Sequence, residues 1–235
     1  MSLVTLIGLP GSGKSTVGRQ LARRLNLPFI DSDAEIEKRL GCPIREYFER
    51  EGEVSFRDVE QAVINDLCVA HNAADTAVAV GIAAATATEA VLSTGGGTVL
   101  REVNRTTLRA SGHVVYLRSS ADDVFKRLRH DRNRPLLQVG DPLLRLRELY
   151  VERDPLYRET AHYVVETGRP SVAALVNKIV MQLELAGVSV AGVSVASRSL
   201  AGNSLTGTNL AGNNPADNSP TGIHLANSAK RPKPL

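Results

Sequence analysis

The chain has 235 residues, of which 43% are hydrophobic and 23% are charged, proportions typical of a globular protein with one substantial core. Its formal charge of +3 comes from residues 186–235, which hold four basic residues and one acidic residue, so the first 185 residues are neutral and do not indicate a nucleic-acid-binding surface. No secretory signal and no apolar run of roughly 18 residues is evident, so we expect a cytoplasmic protein without a membrane span, whose Cys42 and Cys68 are reduced.

Short apolar runs alternate with helical patterns along most of the chain. Strands are predicted at 3–7, 28–30, 90–94, 113–117 and 163–166. Helices are predicted at 16–25, 34–40, 43–48, 53–68, 121–129, 141–154 and 171–185. This alternation is typical of an α/β fold, a three-layer α/β/α sandwich with a central parallel sheet. Polar residues that follow the strands should then meet at the carboxyl edge of the sheet, where open parallel sheets bind ligands.

Two segments depart from this alternation. Residues 69–89 are rich in Ala, Thr and Val and carry little charge, which indicates an inserted surface segment. From residue 186 a five-residue period begins with AGVSV, AGVSV, ASRSL and AGNSL. A β-solenoid is one interpretation, but the fifth position drifts from Val to Leu to Pro and no aromatic residue follows position 185, so we favour a disordered extension. The predicted domains are therefore residues 1–185 and a tail at 186–235.

Residues 8–16 read GLPGSGKST and match the nucleotide-binding pattern GxxxxGK[ST] between a predicted strand and a predicted helix. Glycines let backbone N–H groups turn toward phosphate oxygens, and the following helix adds the positive end of its dipole. Lys14 would reach the β and γ phosphates, and the Ser15 hydroxyl would complete a Mg²⁺ shell. A chance glycine-rich turn is the alternative, which the spacing and the context both disfavour.

The residues after the second and third strands would form the acceptor side of the site. Asp31 and Asp33 follow the second strand, where one could support a metal through water and the other could accept a hydrogen bond from an attacking hydroxyl. Capping of the next helix is an equally good explanation for both. The planar fork of Arg57 suits a carboxylate, although a surface ion pair with Glu60 is the better explanation for an arbitrary arginine. The glycines at 95–97 would let a ligand touch the backbone, or simply make a turn.

Several arginines cluster further along the chain, ahead of the sequence Pro-Leu-Leu at 135–137. Arginines on a closing segment can stabilise charge on a transferring phosphoryl group and exclude water. A solvated basic helix end is the alternative. The cluster comprises Arg127, Arg129, Arg132 and Arg134.

Together these motifs resemble the shikimate kinase family. The resemblance rests on GLPGSGKST, then DSD at 31–33, FRDVE at 56–60, STGGG at 93–97, RPLL at 134–137, and Arg153 ahead of LYR at 156–158. It covers residues 2–180 apart from the segment near 69–89. It implies a P-loop fold like that of nucleoside monophosphate kinases, with a substrate-binding segment at 31–60, a lid near 128–141, and Mg²⁺-dependent transfer from ATP to the 3-hydroxyl of shikimate.

The resemblance also implies a role for each matching residue. Those expected to bind ATP are Gly11, Ser12, Gly13, Lys14, Ser15, Thr16, Arg127, Arg134 and Arg169. Those expected to bind shikimate are Asp33, Arg57, Gly95, Gly96, Gly97 and Arg153. Ser15 and Asp31 would serve the metal, and Lys14, Asp33 and Arg134 would act in the transfer itself.

Two rival functions remain open at this point. Another P-loop small-molecule kinase, such as a gluconate kinase, would share the P-loop and the fold class. A non-catalytic kinase-like module would share the fold, but the chain keeps Lys14, Asp33 and Arg57, which a binding module would not need. We expect a monomer that binds neither nucleic acid nor a membrane.

Overall fold

The computed structural model describes residues 3–79, 90–129, 141–168 and 170–188. The strands are β1 (Leu3–Ile7), β2 (Phe29–Asp31), β3 (Val91–Ser93), β4 (Gly112–Arg118) and β5 (Tyr163–Glu166). They form one parallel sheet in the order β2-β3-β1-β4-β5. The predicted central parallel sheet is therefore confirmed.

Seven α-helices surround the sheet in the described part of the chain. They are α1 (Lys14–Leu25), α2 (Ser32–Leu40), α3 (Ile44–Ala79), α4 (Glu102–Ala110), α5 (Ala121–Leu128), α6 (Pro142–Thr160) and α7 (Val172–Leu185). The apolar faces of α1 and α7 pack on one side of the sheet, and those of α3 to α6 pack on the other. This gives three layers. Among the described residues, no helix combines the length and apolar character needed to cross a bilayer.

The central strand explains why the ligand-binding loops meet. All five residues of β1 are buried, as expected for a strand with parallel neighbours on both edges and helices on both faces. Thr5 pairs with Leu92 of β3 on one side and with Val114 of β4 on the other. Because the strands are parallel and in register, the loop after β1 and the glycine turn after β3 leave the sheet at the same edge.

Helix α3 differs from the two separate helices predicted at 43–48 and 53–68. The predicted interruption exists, because Gly52 has φ 79° and ψ 177°, which is not helical. The predicted end at residue 68 is wrong, since the helix continues to Ala79 into the Ala-rich segment, where alanine favours helix. The other residues predicted to form a surface insertion, 80–89, lie outside the described residues.

Two further differences concern weak local signals. Helix α4 was not predicted, because its apolar residues are few and only one of them, Leu108, is buried. Helix α6 continues past its predicted end at 154 although Pro155 lacks an N–H group. Burial of Leu149 and Tyr157 on either side of Pro155 holds this helix against the core as far as Thr160.

A small third cluster lies between α2 and α3, apart from the two clusters that cover the sheet. Its buried members are Ile36, Phe56 and Val63. Partly buried residues that pack around them include Leu40, Ile44, Tyr47, Phe48, Val59 and Leu67. The substrate-binding segment predicted at 31–60 is thus supported by apolar contacts of its own.

The end of α7 is closed by residues that the sequence placed in the tail. Gly187 has φ 76°, its N–H donates to the carbonyl of Glu184, and the N–H of Val188 donates to the carbonyl of Leu183. These are the two bonds of a Schellman motif, which satisfies helix-terminal carbonyls. Val188 also packs against the cluster under α1 and α7. The first three residues of the repeat therefore complete the last helix.

Shortening the chain should show whether residues 186–188 stabilise α7. A chain ending at Val188 should melt at the temperature of the full chain, whereas one ending at Leu185 should lose about 1–2 kcal/mol of stability with its two capping bonds. For a protein of this size that corresponds to a melting temperature about 2–4 °C lower per kcal/mol. Calorimetry on the three chains measures it. Equal melting of both shortened chains would show that the cap contributes nothing, and a large drop at Val188 would show that later residues stabilise the fold.

Candidate functional site

The loop between β1 and α1 forms one wall of the site. Burial of Val17, Leu21 and Leu25 fixes α1 against the sheet, and Gly13 at its start has φ 96°. The ammonium group of Lys14 donates to the carbonyl oxygens of Gly8 and Leu9, each at 2.9 Å, and the residue is 8% exposed. A buried cation therefore lies inside a loop at a helix N-terminus, which is an arrangement that binds anions such as phosphate.

Ser15 joins this loop to the end of β2. Its hydroxyl donates to Oδ2 of Asp31 at 2.8 Å and lies 3.4 Å from the hydroxyl of Ser93. The other carboxylate oxygen of Asp31 accepts from the N–H of Asp33 at 3.2 Å and so caps α2. The capping interpretation of Asp31 is therefore confirmed for one oxygen, while the other oxygen is bonded to Ser15. The result is a group of hard oxygen donors beside the phosphate-binding loop, which is the chemistry that Mg²⁺ prefers.

Asp33 lies in the first turn of α2 and faces Gly95. A Cβ atom built on Gly95 would be 2.8 Å from Oδ1 of Asp33, so the glycine leaves room for this carboxylate. Solvent reaches the side chain from the cleft, but surrounding protein displaces enough water to raise the pKa of the Asp33 carboxyl to about 6. The charge of Asp31 adds to the rise and that of Lys14 opposes it. A carboxyl with such a pKa can exchange a proton near neutral pH.

Arg57 forms the ion pair with Glu60 that the sequence offered as an alternative to a binding role. The pair is largely buried rather than on the surface. Nη1 of Arg57 is 2.6 Å from Oε2 of Glu60, which is 1% exposed, while the Arg57 side chain is 13% exposed. Nη2 is also 3.0 Å from the exposed Glu53. Glu60 in turn accepts from the hydroxyl of Thr98 at 2.7 Å. These contacts hold the guanidinium in one place rather than leaving it in solvent.

The three glycines after β3 bring the parts of the site into contact. The N–H of Gly95 donates to the hydroxyl of Ser32 at 3.1 Å. A Cβ on Gly96 would be 2.6 Å from Cδ of Pro10, and one on Gly97 would clash with the guanidinium of Arg57. Side chains at these positions would push apart the phosphate-binding loop and the substrate-binding segment, so the turn is a site of close approach as well as a turn.

Arg153 reaches the same turn from α6. Its Nη1 donates to the carbonyl oxygen of Gly96 at 3.1 Å, and the side chain is 12% exposed. Its Nε is buried without a hydrogen-bond acceptor, since the carboxylate of Glu152 is 3.8 Å away. Buried N–H groups normally find an acceptor, so the Nε–H group of Arg153 is a candidate donor to a ligand.

Tyr157 contacts the same carbonyl group and was missed from the sequence. Its hydroxyl donates to the oxygen of Gly96 at 2.5 Å. The signal that could have found it is its spacing, because Tyr157 follows Arg153 by four residues and therefore lies on the same face of α6.

Arg127, at the end of α5, bridges the phosphate-binding loop and the end of β5. Its Nη2 donates to the carbonyl of Thr167 at 2.7 Å, and its Nη1 lies 3.3 Å from the carbonyl of Ser12 and from the hydroxyl of Ser119. This places the guanidinium at the rim of the cleft beside the loop. Two other arginines predicted to bind nucleotide, Arg134 and Arg169, lie outside the described residues, as does most of the predicted lid.

Most of these groups line one open cleft of about 470 Å³. It is lined by Pro10, Gly11, Gly13, Lys14, Ser15, Thr16, Asp33, Thr94, Gly96, Arg127 and Leu128. Arg57 and Arg153 do not line it but meet at the glycine turn that forms its edge. Within the described ranges there is no group of three or more His, Cys, Asp or Glu residues that could hold a metal by themselves. Mg²⁺ in nucleotide sites commonly relies on phosphate oxygens and water instead.

Comparisons with known proteins converge on one family. The family model described as shikimate kinase matches residues 10–82 and 79–184. The chain is 58% identical over 186 residues to a shikimate kinase of Paracidovorax citrulli, covering 79% of this chain and 93% of that relative. It is 51% identical over 190 residues to one of Ralstonia nicotianae, covering 81% and 91%. A solved structure of shikimate kinase from Acinetobacter baumannii in complex with shikimate is 42% identical, with a TM-score of 0.67, over 80% of this chain and 94% of that one.

Proposed function

Because the chain belongs to the shikimate kinase family, we propose that the cleft and the glycine turn beside it are where this protein transfers the γ-phosphoryl group of ATP to shikimate. The phosphate-binding loop would hold the donor and the glycine turn the acceptor. In-line transfer requires the two substrates to be aligned and their charge to be neutralised, more than it requires covalent help from the protein.

The observation that carries the assignment of the acceptor side is the meeting of two arginines at one turn. Arg57 lies against Gly97, and Arg153 is bonded to the carbonyl of Gly96. Shikimate has one carboxylate, and a guanidinium edge binds a carboxylate through two parallel hydrogen bonds. The buried Nε of Arg153, which has no acceptor in the protein, and the fixed position of Arg57 support a shared role in holding that carboxylate.

Asp33 would act on the hydroxyl group of the acceptor. It lies between the glycine turn and the phosphate-binding loop, since it contacts Gly95 and shares the cleft with Lys14. Above its pKa of about 6 the carboxylate can accept the proton that the 3-hydroxyl releases during attack. Lys14, together with Arg134, would neutralise charge on the transferring group.

The oxygen groups of Ser15 and Asp31 fit a magnesium ion, so we propose that they serve the metal that accompanies ATP. When bound, Mg²⁺ would neutralise charge on the phosphate oxygens. Ser15 would offer its hydroxyl oxygen directly. Asp31 would orient that hydroxyl, since its Oδ2 accepts a hydrogen bond from the Ser15 hydroxyl at 2.8 Å, and would act on the metal through water.

An assay with different acceptors tests the function as a whole. ADP release, coupled to NADH oxidation, should be fast with shikimate and near the background rate with gluconate or without an acceptor. Turnover of gluconate at a comparable kcat/KM would favour the rival kinase. The absence of turnover with any acceptor, in a protein that binds ATP, would favour a non-catalytic module.

Ser15→Ala should weaken the use of magnesium. We expect turnover at a fixed, low Mg²⁺ concentration to fall by at least about 10- to 100-fold, the range seen when even outer-shell partners of a metal are removed. Excess Mg²⁺ should restore only part of it, because a water must replace a fixed ligand. Initial rates over a magnesium titration measure both effects.

Ser15→Thr is the matched control, because it keeps a hydroxyl on the same atom of the chain. Its magnesium dependence should stay close to that of the unmodified protein. If Ser15→Ala shows the same dependence as Ser15→Thr, the hydroxyl does not serve the metal.

We also keep the expectations that the protein is a cytoplasmic monomer that binds neither nucleic acid nor a membrane. Size-exclusion chromatography with light scattering tests the oligomeric state.

A further inference from the structure

The carbonyl group of Gly96 receives two donors from a single face of α6. Tyr157 donates its hydroxyl at 2.5 Å and Arg153 donates Nη1 at 3.1 Å. Two donors converging on one oxygen leave its position little freedom. The bond from Nη1 therefore fixes one end of the Arg153 guanidinium. The Nε of the same group is buried and has no acceptor.

The tyrosine itself is held in place by a second tyrosine. The rings of Tyr157 and Tyr116 are stacked, with centroids 4.9 Å apart and planes inclined by 28°. The hydroxyl of Tyr116 donates to Asp154 at 2.8 Å, and Asp154 also accepts from Arg158 at 2.7 Å. Tyr116 belongs to β4, so this stack ties the turn of α6 that carries Arg153 to the sheet.

Burial explains why the hydroxyl of Tyr157 acts as a donor. The residue is 0% exposed, and burial raises the pKa of its phenol well above the ordinary value. The phenol is therefore protonated at neutral pH, and a carbonyl oxygen can only accept a hydrogen bond from it.

We propose that Tyr157 is a positioning residue for the acceptor: its hydroxyl holds the Gly96 carbonyl, and this carbonyl anchors Arg153 so that the Nε and Nη2 groups can bind the carboxylate of the substrate. This inference rests on the proposed function for the identity of the acceptor. The contact that carries it, from Tyr157 through Gly96 to Arg153, is a feature of the protein alone.

Two tyrosine variants separate positioning from stability. Tyr157→Phe and Tyr116→Phe each remove one buried hydroxyl and keep the stacked ring, but only the first loses the bond to Gly96. Tyr157→Phe should raise the KM for shikimate about tenfold, as expected for the loss of one well-placed hydrogen bond, with the KM for ATP unchanged. The two variants should lower the melting temperature by similar amounts, because each loses one buried hydroxyl. Tyr116→Phe should leave the KM for shikimate unchanged.

A double-mutant cycle tests the route through Arg153. In an Arg153→Ala background, Tyr157→Phe should have no further effect on the KM for shikimate, because the group it positions is gone. Additive effects, or an equal rise of KM in Tyr116→Phe, would overturn the proposal.

A spectroscopic arm does not depend on the substrate. The ¹⁵N NMR signal of the Arg153 Nε–H should be a resolved, sharp peak in the unmodified protein and in Tyr116→Phe, and should broaden in Tyr157→Phe. If shikimate is not a substrate while this pattern holds, the proposed function fails and the anchoring stands. An averaged signal in the unmodified protein would overturn the anchoring, even if Tyr157→Phe proves too unstable for kinetics.

Discussion

Replacing Asp33 with asparagine should lower kcat by about 10²- to 10⁴-fold, the usual contribution of a positioned general base, with little change in the KM for ATP. The amide keeps the shape of the side chain but cannot take a proton from the attacking hydroxyl. The interaction strengthens as that proton is released, so its loss falls on kcat more than on the KM for shikimate. Steady-state rates with both substrates varied measure the two effects.

The pKa of Asp33 provides a second readout of the same variant. In the unmodified protein, kcat/KM for shikimate should fall as pH drops below about 6, because the carboxyl becomes protonated, and this decline should be absent in Asp33→Asn. The raised pKa also means that folding disfavours the ionised form. Any stability from this group is therefore present below the unfolded pKa of 3.8 and lost as pH rises through about 6.

Asp33→Asn should accordingly be at least as stable as the unmodified protein at pH 7 to 8 while being far less active. Asp66→Asn is a suitable control, since Asp66 pairs with Arg39 on the surface, at 2.7 Å, and does not line the cleft. Equal damage to kcat in both variants, or a fall in ATP affinity in Asp33→Asn, would assign Asp33 to the nucleotide pocket instead.

Replacing Arg57 with alanine should raise the KM for shikimate by about 30- to 1,000-fold, equivalent to about 2–4 kcal/mol for a charge-assisted pair. The contact with the carboxylate exists before and during the reaction, so kcat should change much less. The variant also leaves Glu60, which is 1% exposed, without its cation, so the protein should melt at a lower temperature.

Two companion variants separate these effects. Arg57→Lys keeps a charge beside Glu60 but loses the planar fork, so it should recover much of the stability and little of the affinity for shikimate. Arg50→Ala removes an exposed arginine of the same helix, which pairs with Glu51 at 2.8 Å, and should change neither. A KM for shikimate in Arg57→Ala that equals that of Arg50→Ala would remove Arg57 from the acceptor site.

The strands and the phosphate-binding loop could be predicted because their signals are local. The apolar run of β1 and the spacing of GLPGSGKST each lie within a few residues, and the structure places both as expected. The extension of α6 through Pro155 could not be predicted, because it depends on contacts of Tyr157 with residues far away in sequence. Proline predicts that the helix ends before Pro155, but burial of Leu149 and Tyr157 in the core continues the helix to Thr160.

The acceptor site was predicted as a set of residue types but not as an arrangement. The spacing of Arg57 and Glu60 allowed an ion pair, but no pattern in the sequence indicates that Glu60 is buried against Thr98, more than 30 positions away along the chain. The double role of Asp31, with one oxygen on α2 and the other on Ser15, likewise depends on where the chain brings β2 beside α1. The roles of individual residues in binding ATP, magnesium and shikimate stay predictions.

The separate apolar cluster between α2 and α3 has a consequence for how the folded protein opens. Its buried members are Ile36, Phe56 and Val63, and the helix beside it is interrupted at Gly52, so this part buries fewer apolar side chains than either cluster on the sheet. In amide hydrogen exchange it should behave as an independent unit whose opening free energy lies below that of global unfolding. The protein would then spend a small fraction of its time with the acceptor site dismantled and the nucleotide site intact. Shikimate should slow exchange in 32–51 more than ATP does.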